Sequence, residues 1–263
     1  MKQSPSKKYK AFMLDIDGTV IKYDYNSLPS QSVVNTIKKA QSEIQICLVT
    51  GRSSSSIEHI LKKLELNKGY AVINNGANVI NIKTGKILYD KPIETQDIKK
   101  IIKILNEYNI PFYIKQNHNT MGLVEGYYLE KAAPKKGYMF YTDDTHNPKI
   151  VEDIIKKLSI IPTISVHKSQ HKQKGKYGVN ITNAEATKLH GISIVKTLLK
   201  VSTDEIIGIG DGYNDFPLLL ACGLKIAMGN AVPELKEIAD YIAPDVNEDG
   251  VAYAINKFIL NEN

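Results

Sequence analysis

The sequence predicts an α/β fold in which a parallel sheet covered by helices is interrupted by an inserted α+β module. Three observations carry this. Short apolar runs alternate with helix-period segments through the first 75 of the 263 residues. The same alternation returns near the C-terminus. Between them, apolar runs follow one another in the manner of antiparallel strands, with two helical patterns among them. The expected division is a core of residues 1–81 and 184–263 and an insertion of residues 82–183.

The elements read in order. AFML (Ala11–Leu14) is a buried strand, and SQSVVNTIKKAQ is a helix with Val33, Val34 and Ile37 on one face. IQICLVT is the second strand, ending at Thr50. SSSIEHILKKL follows as a helix, its Ser residues placed as caps ahead of Ile57, Ile60, Leu61 and Leu64. AVIN is the third strand. Within the insertion, NVINIKTGKILYD reads as a hairpin turning at Thr84-Gly85. ETQDIKKIIKILNEYN and the stretch near Pro148–Leu158 are helices, and PFYIKQ, TMGLVEG, TISVHK and KYGVNIT are strands. After it come a helix over Thr187–Lys200, the strand EIIGIG, a helix after Asp215, the strand LKIAM and a last helix from about Asp249.

Composition narrows the function classes. Hydrophobic residues at 43% and charged residues at 24% are the proportions of a globular protein with a substantial core. The net charge of +6 favours anionic ligands, but it is spread in short Lys pairs with no aromatic interleaving. Nucleic acid is therefore not the expected partner; a small acidic or phosphorylated metabolite suits the charge, as does a merely solvated surface. Cys47 and Cys222 sit in apolar runs, as buried free thiols of a reducing compartment do. The N-terminus is basic with no apolar run behind it, and no stretch reaches the ~20 apolar residues of a membrane span. A cytoplasmic protein with no membrane partner is expected.

In an open parallel sheet, ligands gather outside the carboxyl ends of the strands. Asp15 and Asp17 follow the first strand there. Thr50, Gly51 and Arg52 follow the second. Gly210, Asp211, Gly212, Asn214 and Asp215 follow EIIGI. Four acids on one edge repel one another unless a cation sits among them, and an all-oxygen donor set selects Mg²⁺ over zinc or copper. Gly18 stands at the wrong place for a calcium loop, GIGDG is not the dinucleotide fingerprint, and no Walker A sequence is present.

DIDGT, the strand-end TGR, Lys188 and GDGYND together resemble the haloacid-dehalogenase-type phosphohydrolases. NNGA at Asn74–Ala77 and AMGNAVPELKEIADYIAPDVNEDGVAYAI at Ala227–Ile255 narrow the resemblance to the Cof-type branch, which carries a large inserted cap. The resemblance implies a Rossmann-like core, Mg²⁺ and a phosphatase of small phosphorylated metabolites. It makes Asp15 the nucleophile that forms an aspartyl-phosphate, and Asp17 the general acid and then base. Mg²⁺ would be held by the Asp15 carboxylate, the Asp17 backbone carbonyl and Asp211, with Asp215 in support. Thr50 would bind a phosphate oxygen, Lys188 would balance the transferring phosphoryl group, and Asn214 would add a phosphate contact.

The residues leave alternatives open. Thr50 also suits a helix cap, and Lys188, followed by Leu189, His190 and Gly191 where the branch has Gly, also suits a helix surface. Arg52 is read as contacting substrate or as joining cap to core. His118, Tyr113 and the tyrosine-rich stretch GYYLEKAAPKKGYMFY, with Tyr127 and Tyr128, are candidates for the cap's substrate face, or for plain packing and solvent-facing loop. His167 and His171 are not expected to bind metal. Beside the phosphatase stand a phosphomutase of the same fold and a non-catalytic binder of phosphate ligands.

Overall fold

A computed structural model describes residues 9–24, 26–117, 120–124, 135–142, 147–169 and 175–261. Strand β1 (Ala11–Leu14) is apolar and buried at every position, as a strand with helices on both faces must be. Helix α1 (Gln31–Ala40) starts where the Ser30 hydroxyl accepts the Val33 N–H, and it buries Val33, Val34 and Ile37. Strand β2 (Gln45–Val49) and helix α2 (Ser54–Lys63) come next, α2 burying Ile57 and Ile60. Ser53 occupies the cap position of α2, but its hydroxyl meets that of Ser56 at 2.7 Å and does not cap the backbone. Strand β3 (Tyr70–Ile73) completes this half.

The hairpin around Thr84-Gly85 forms, with one difference from expectation. Its strands β4 (Asn78–Asn81) and β5 (Ile87–Asp90) pair antiparallel onto β3 and so extend the large sheet through Asp90, beyond the expected boundary at 81. The cause is a tight reversal at Asn74, Asn75 and Gly76, all with positive φ, which sends the chain straight back along β3.

Beyond it lie β6 (Ile93–Glu94), α3 (Thr95–Glu107), β7 (Phe112–Asn117), β8 (Thr120–Val124), β9 (Lys136–Gly137), β10 (Met139–Thr142), α4 (Pro148–Leu158), β11 (Ile164–Ser169) and β12 (Gly178–Asn183). β6 pairs with β9, and the other strands form an antiparallel sheet in the order β11-β12-β10-β7-β8. This sheet has its own core: Ile98, Ile101, Ile102 and Leu105 of α3 and Val151, Ile154 and Leu158 of α4 pack with Phe112, Ile114, Phe140, Val179 and Ile181. Strand side chains alternate, so Tyr113, Lys115, Tyr141 and Asn180 fall on the opposite face, and the Tyr113 and Tyr141 rings stack at 4.8 Å. His118, Tyr127, Tyr128 and His171 lie outside the described residues.

The chain returns through α5 (Lys188–Leu199), β13 (Ile206–Gly210), α6 (Phe216–Leu220), β14 (Leu224–Ala227), α7 (Pro233–Glu237), β15 (Tyr241–Ile242) and α8 (Gly250–Ile255). The large sheet runs β15-β14-β13-β1-β2-β3-β4-β5, parallel from β15 to β3. Winding goes outward from β1 through β2 and β3, then resumes on its other side at β13. β1 therefore marks a topological switch point, where loops part and leave a crevice. Among the described residues no helix is long and apolar enough to cross a membrane.

Gly76 is fixed by two constraints. Its φ is +107°, and a Cβ there would lie 2.0 Å from the Thr187 carbonyl oxygen, which is backbone and cannot step aside. Gly76→Ala should destabilise the protein by about 2–4 kcal/mol. Urea unfolding checks this: the midpoint should fall with an unchanged slope, and an unmoved midpoint would refute the packing argument.

Candidate active site

The carboxyl ends of β1, β2 and β13 bring the three sequence clusters together. Asp15 comes directly after β1 and is buried. Lys188, the first residue of α5, reaches it: Nζ lies 2.5 Å from Asp15 Oδ1 and 2.6 Å from Asp215 Oδ1. At 1% exposure Lys188 is not a helix-surface lysine. The second oxygen of Asp215 accepts the Asp211 and Gly212 N–H groups, each at 2.9 Å. Asp211 in turn accepts the Thr19 hydroxyl at 2.9 Å and the Tyr23 hydroxyl. The carboxylate oxygens of Asp15, Asp211 and Asp215 lie within 4.8 Å of one another.

Charge decides what such a cluster can do. Burial first, and then repulsion from Asp215, push the Asp15 carboxyl up to about 8 although Lys188 pulls it down. Burial, with Asp15 and Asp215 behind it, raises Asp211 well above the usual range. Burial opposes the charge on Lys188, yet the two aspartates outweigh it and hold the amine above its ordinary value. One ammonium thus faces three buried acids. The donor set is all carboxylate oxygen with no His or Cys in the cluster, so it fits a hard divalent cation and can hold a metal ion.

Asp17 stands apart from this cluster. Arg52 grips it with two N–H groups, Nε to Oδ2 at 2.9 Å and Nη2 to Oδ1 at 2.6 Å, and sends Nη1 to the Ser56 carbonyl. The buried Arg52 therefore belongs to the core edge, in an arrangement that neither sequence reading of it named. Thr50 is buried, and its hydroxyl accepts the Arg52 N–H at 3.1 Å, which leaves its own proton to give elsewhere. Asn214 Nδ2 bonds the Asn75 side-chain oxygen at 3.1 Å.

Asp15, Asp17, Gly51, Arg52, Asp211 and Asn214 line one wall of a cavity of about 290 Å³; Lys115, Met139, Tyr141, Thr142, Ser169 and Asn180 of the antiparallel sheet line the other. Lys115 Nζ reaches across to the Gly51 carbonyl, and Asn75 Nδ2 to Met139 Sδ. Sequence reasoning missed Thr19, Tyr23 and the whole second wall except the Tyr-rich stretch. Thr19 had a signal, since it closes DIDGT. Lys115 had none: in FYIKQ it reads as an ordinary alternating strand residue.

A family model described as haloacid dehalogenase-like hydrolase matches residues 12–255. YxeH of Bacillus subtilis strain 168, which carries a provisional phosphatase name, is 25% identical over 269 residues, covering 96% of this chain and 99% of its own. The 5-amino-6-(5-phospho-D-ribitylamino)uracil phosphatase YcsE of the same organism is 26% identical over 259 residues, covering 95% and 96%. Among solved structures, the HAD subclass IIB sugar phosphatase BT4131 shares the fold at a TM-score of 0.76 and 20% identity, with 95% and 98% covered.

Removing the ammonium tests the charge balance. Without metal, Lys188→Met should cost about 3–5 kcal/mol near pH 8, because it leaves buried acids unpaired. A carboxyl whose folded-state pKa is raised stabilises the fold at low pH, and that stability is lost as pH climbs from the unfolded to the folded value. For Asp15 the window runs from 3.8 to about 8. Without Lys188 that window extends above 8, so urea unfolding in EDTA should show a larger cost at pH 9 than at pH 7; equal costs would mean that Lys188 does not serve as the counter-charge.

Proposed function

This chain belongs to the haloacid dehalogenase-like hydrolases, and from that premise we propose that it is a Mg²⁺-dependent phosphatase of small phosphorylated metabolites. The observation that carries the reading is Asp15: a buried carboxylate at the switch point of the sheet, held by Lys188, with Asp17 beside it on the same cavity wall. A relative named for a phosphorylated metabolite and a structural neighbour named a sugar phosphatase support the substrate class.

In the first step an Asp15 oxygen bonds to phosphorus as the ester P–O bond breaks, and Asp17 gives its proton to the leaving oxygen. In the second, water attacks phosphorus, Asp17 takes the water's proton, and the Asp15–phosphorus bond breaks to release inorganic phosphate. Arg52 holds both Asp17 oxygens, so Asp17 must loosen at least one of those bonds to hand over a proton. Thr50 donates its free proton to a phosphate oxygen, and Lys188 balances the charge gathering on the phosphoryl group. Held by the Asp15 and Asp211 carboxylates and the Asp17 backbone carbonyl, with Asp215 in support, Mg²⁺ would supply the positive charge that lets a carboxylate approach a phosphate. The antiparallel sheet with α3 and α4 serves as the cap that shields this chemistry. The two free, buried thiols suit a cytoplasmic location; burial raises Cys47 to about 12, too high for it to react readily.

Asp15→Asn is nearly isosteric and cannot attack phosphorus, so it should keep the fold and lose turnover by about a thousandfold or more. Substantial residual hydrolysis in a pure sample would sink the covalent route. Asp17→Asn should slow esters with poor leaving groups far more than p-nitrophenyl phosphate, whose leaving group needs little protonation.

EDTA should abolish activity, and Mg²⁺ should restore it better than Ca²⁺, whose longer bonds and looser shell misplace the reacting oxygens. Full activity without any divalent ion would contradict the metal assignment.

A further inference from the structure

The second cavity wall poses a question that the chemistry of the first does not answer. Five of its six side chains, Met139, Tyr141, Thr142, Ser169 and Asn180, are neutral, and the sixth is Lys115. This lysine is buried at 6% exposure. Its Nζ donates to the Gly51 carbonyl at 2.5 Å and lies 5.9 Å from the Tyr141 ring centre. An ammonium has three donors, and a neutral carbonyl takes one of them without balancing the charge. Asp17, the acid that acts on Lys115 most strongly, is already gripped by Arg52 through both oxygens. Burial accordingly pushes the amine down to about 8. A polar organic group filling the cavity would meet this ammonium, and an anion would satisfy it better than a hydroxyl, through a charge-assisted bond about twice as strong.

We infer that Lys115 sets substrate specificity by recognising a carboxylate on the leaving alcohol, so that the preferred substrates are phosphate monoesters of small hydroxy acids. This rests on the phosphatase reading and adds a tail group to it. Of the acids lining the cavity, Arg52 engages Asp17 and Lys188 engages Asp15, Asp211 accepts the Thr19 and Tyr23 hydroxyls, and the exposed Asp24 accepts the Asn26 N–H, while the wall around Lys115 carries no acid among its described residues.

The test compares 3-phosphoglycerate with glycerol 3-phosphate, which differ in a carboxylate against a hydroxymethyl group. The wild-type protein should favour 3-phosphoglycerate by about tenfold or more in kcat/KM. Lys115→Met should bring the ratio close to one, mainly by raising KM for the carboxylate ester, and Lys115→Arg should keep most of it. Lys115→Gln retains an N–H for the Gly51 carbonyl without the charge, so it should behave as the Met variant does, and it decides the matter if the Met variant fails to fold. A wild-type preference for glycerol 3-phosphate, or a ratio unmoved in the neutral variants, overturns the inference alone. Failure to hydrolyse either ester or p-nitrophenyl phosphate overturns the phosphatase reading and this inference with it.

Discussion

Lys188 holds Asp15 and Asp215 at 2.5 and 2.6 Å in a place that solvent barely reaches, and Asp211 completes a cluster with one positive charge for three acids. Burying unpaired carboxylates costs several kcal/mol each, so a fold keeps such a cluster only if the surrounding framework enforces it. The framework here is the parallel sheet. β1 and β13 are neighbours in register, Leu14 opposite Ile209, so the chain must emerge from both side by side. The Asp211 and Gly212 N–H groups then fix one oxygen of Asp215 and leave the other for Lys188. A cluster short of positive charge is also one that a divalent cation stabilises on arrival.

Much of this was legible because parallel strands all point the same way, so the loops leaving them gather on one edge of the sheet. Asp15, Thr50 and Asp211 could be placed on that edge from strand patterns alone. Lys188 could not, since it opens a helix on the far side of the insertion; only the family resemblance pointed to it. The hairpin β4–β5 was legible as a hairpin but not in its membership, because the reversal at Asn74, Asn75 and Gly76 is set by backbone conformation that apolar periodicity does not encode.

Lys115 marks the other limit. Alternation in β7 correctly separates Phe112 and Ile114 from Tyr113 and Lys115, but says nothing about what the second pair faces. A strand with one face on helices ordinarily turns the other to water, where a lysine is unremarked. Here that face meets the edge of a second sheet, and the same lysine becomes a buried cation. Its environment is created by the docking of two separately built cores, a fact that belongs to neither stretch of sequence by itself.

The way the insertion is tied down links the two walls. Its two connections to the large sheet are bonded to each other: Asn183 Nδ2 reaches the Pro92 carbonyl at 3.0 Å, Tyr89 reaches the Glu185 carbonyl at 2.6 Å, and Lys91 pairs with Glu185. The exit strand leads through Thr187, whose backbone packs on Gly76, directly into Lys188. Asn75, next to Gly76, bonds Asn214 of the core and Met139 of the cap. Any swing of the cap therefore pivots beside the lysine that balances Asp15, and the contacts that close the cavity are made by neighbours of the residues proposed to do the chemistry. An ester bridging both walls, with its phosphate at Asp15 and its tail at the cap, would favour the closed arrangement more than a phosphate alone, because only the whole ester touches both sheets. Binding energy gained at the tail would then go into excluding water from the reacting end, which is how a cap can raise the rate as well as choose the substrate.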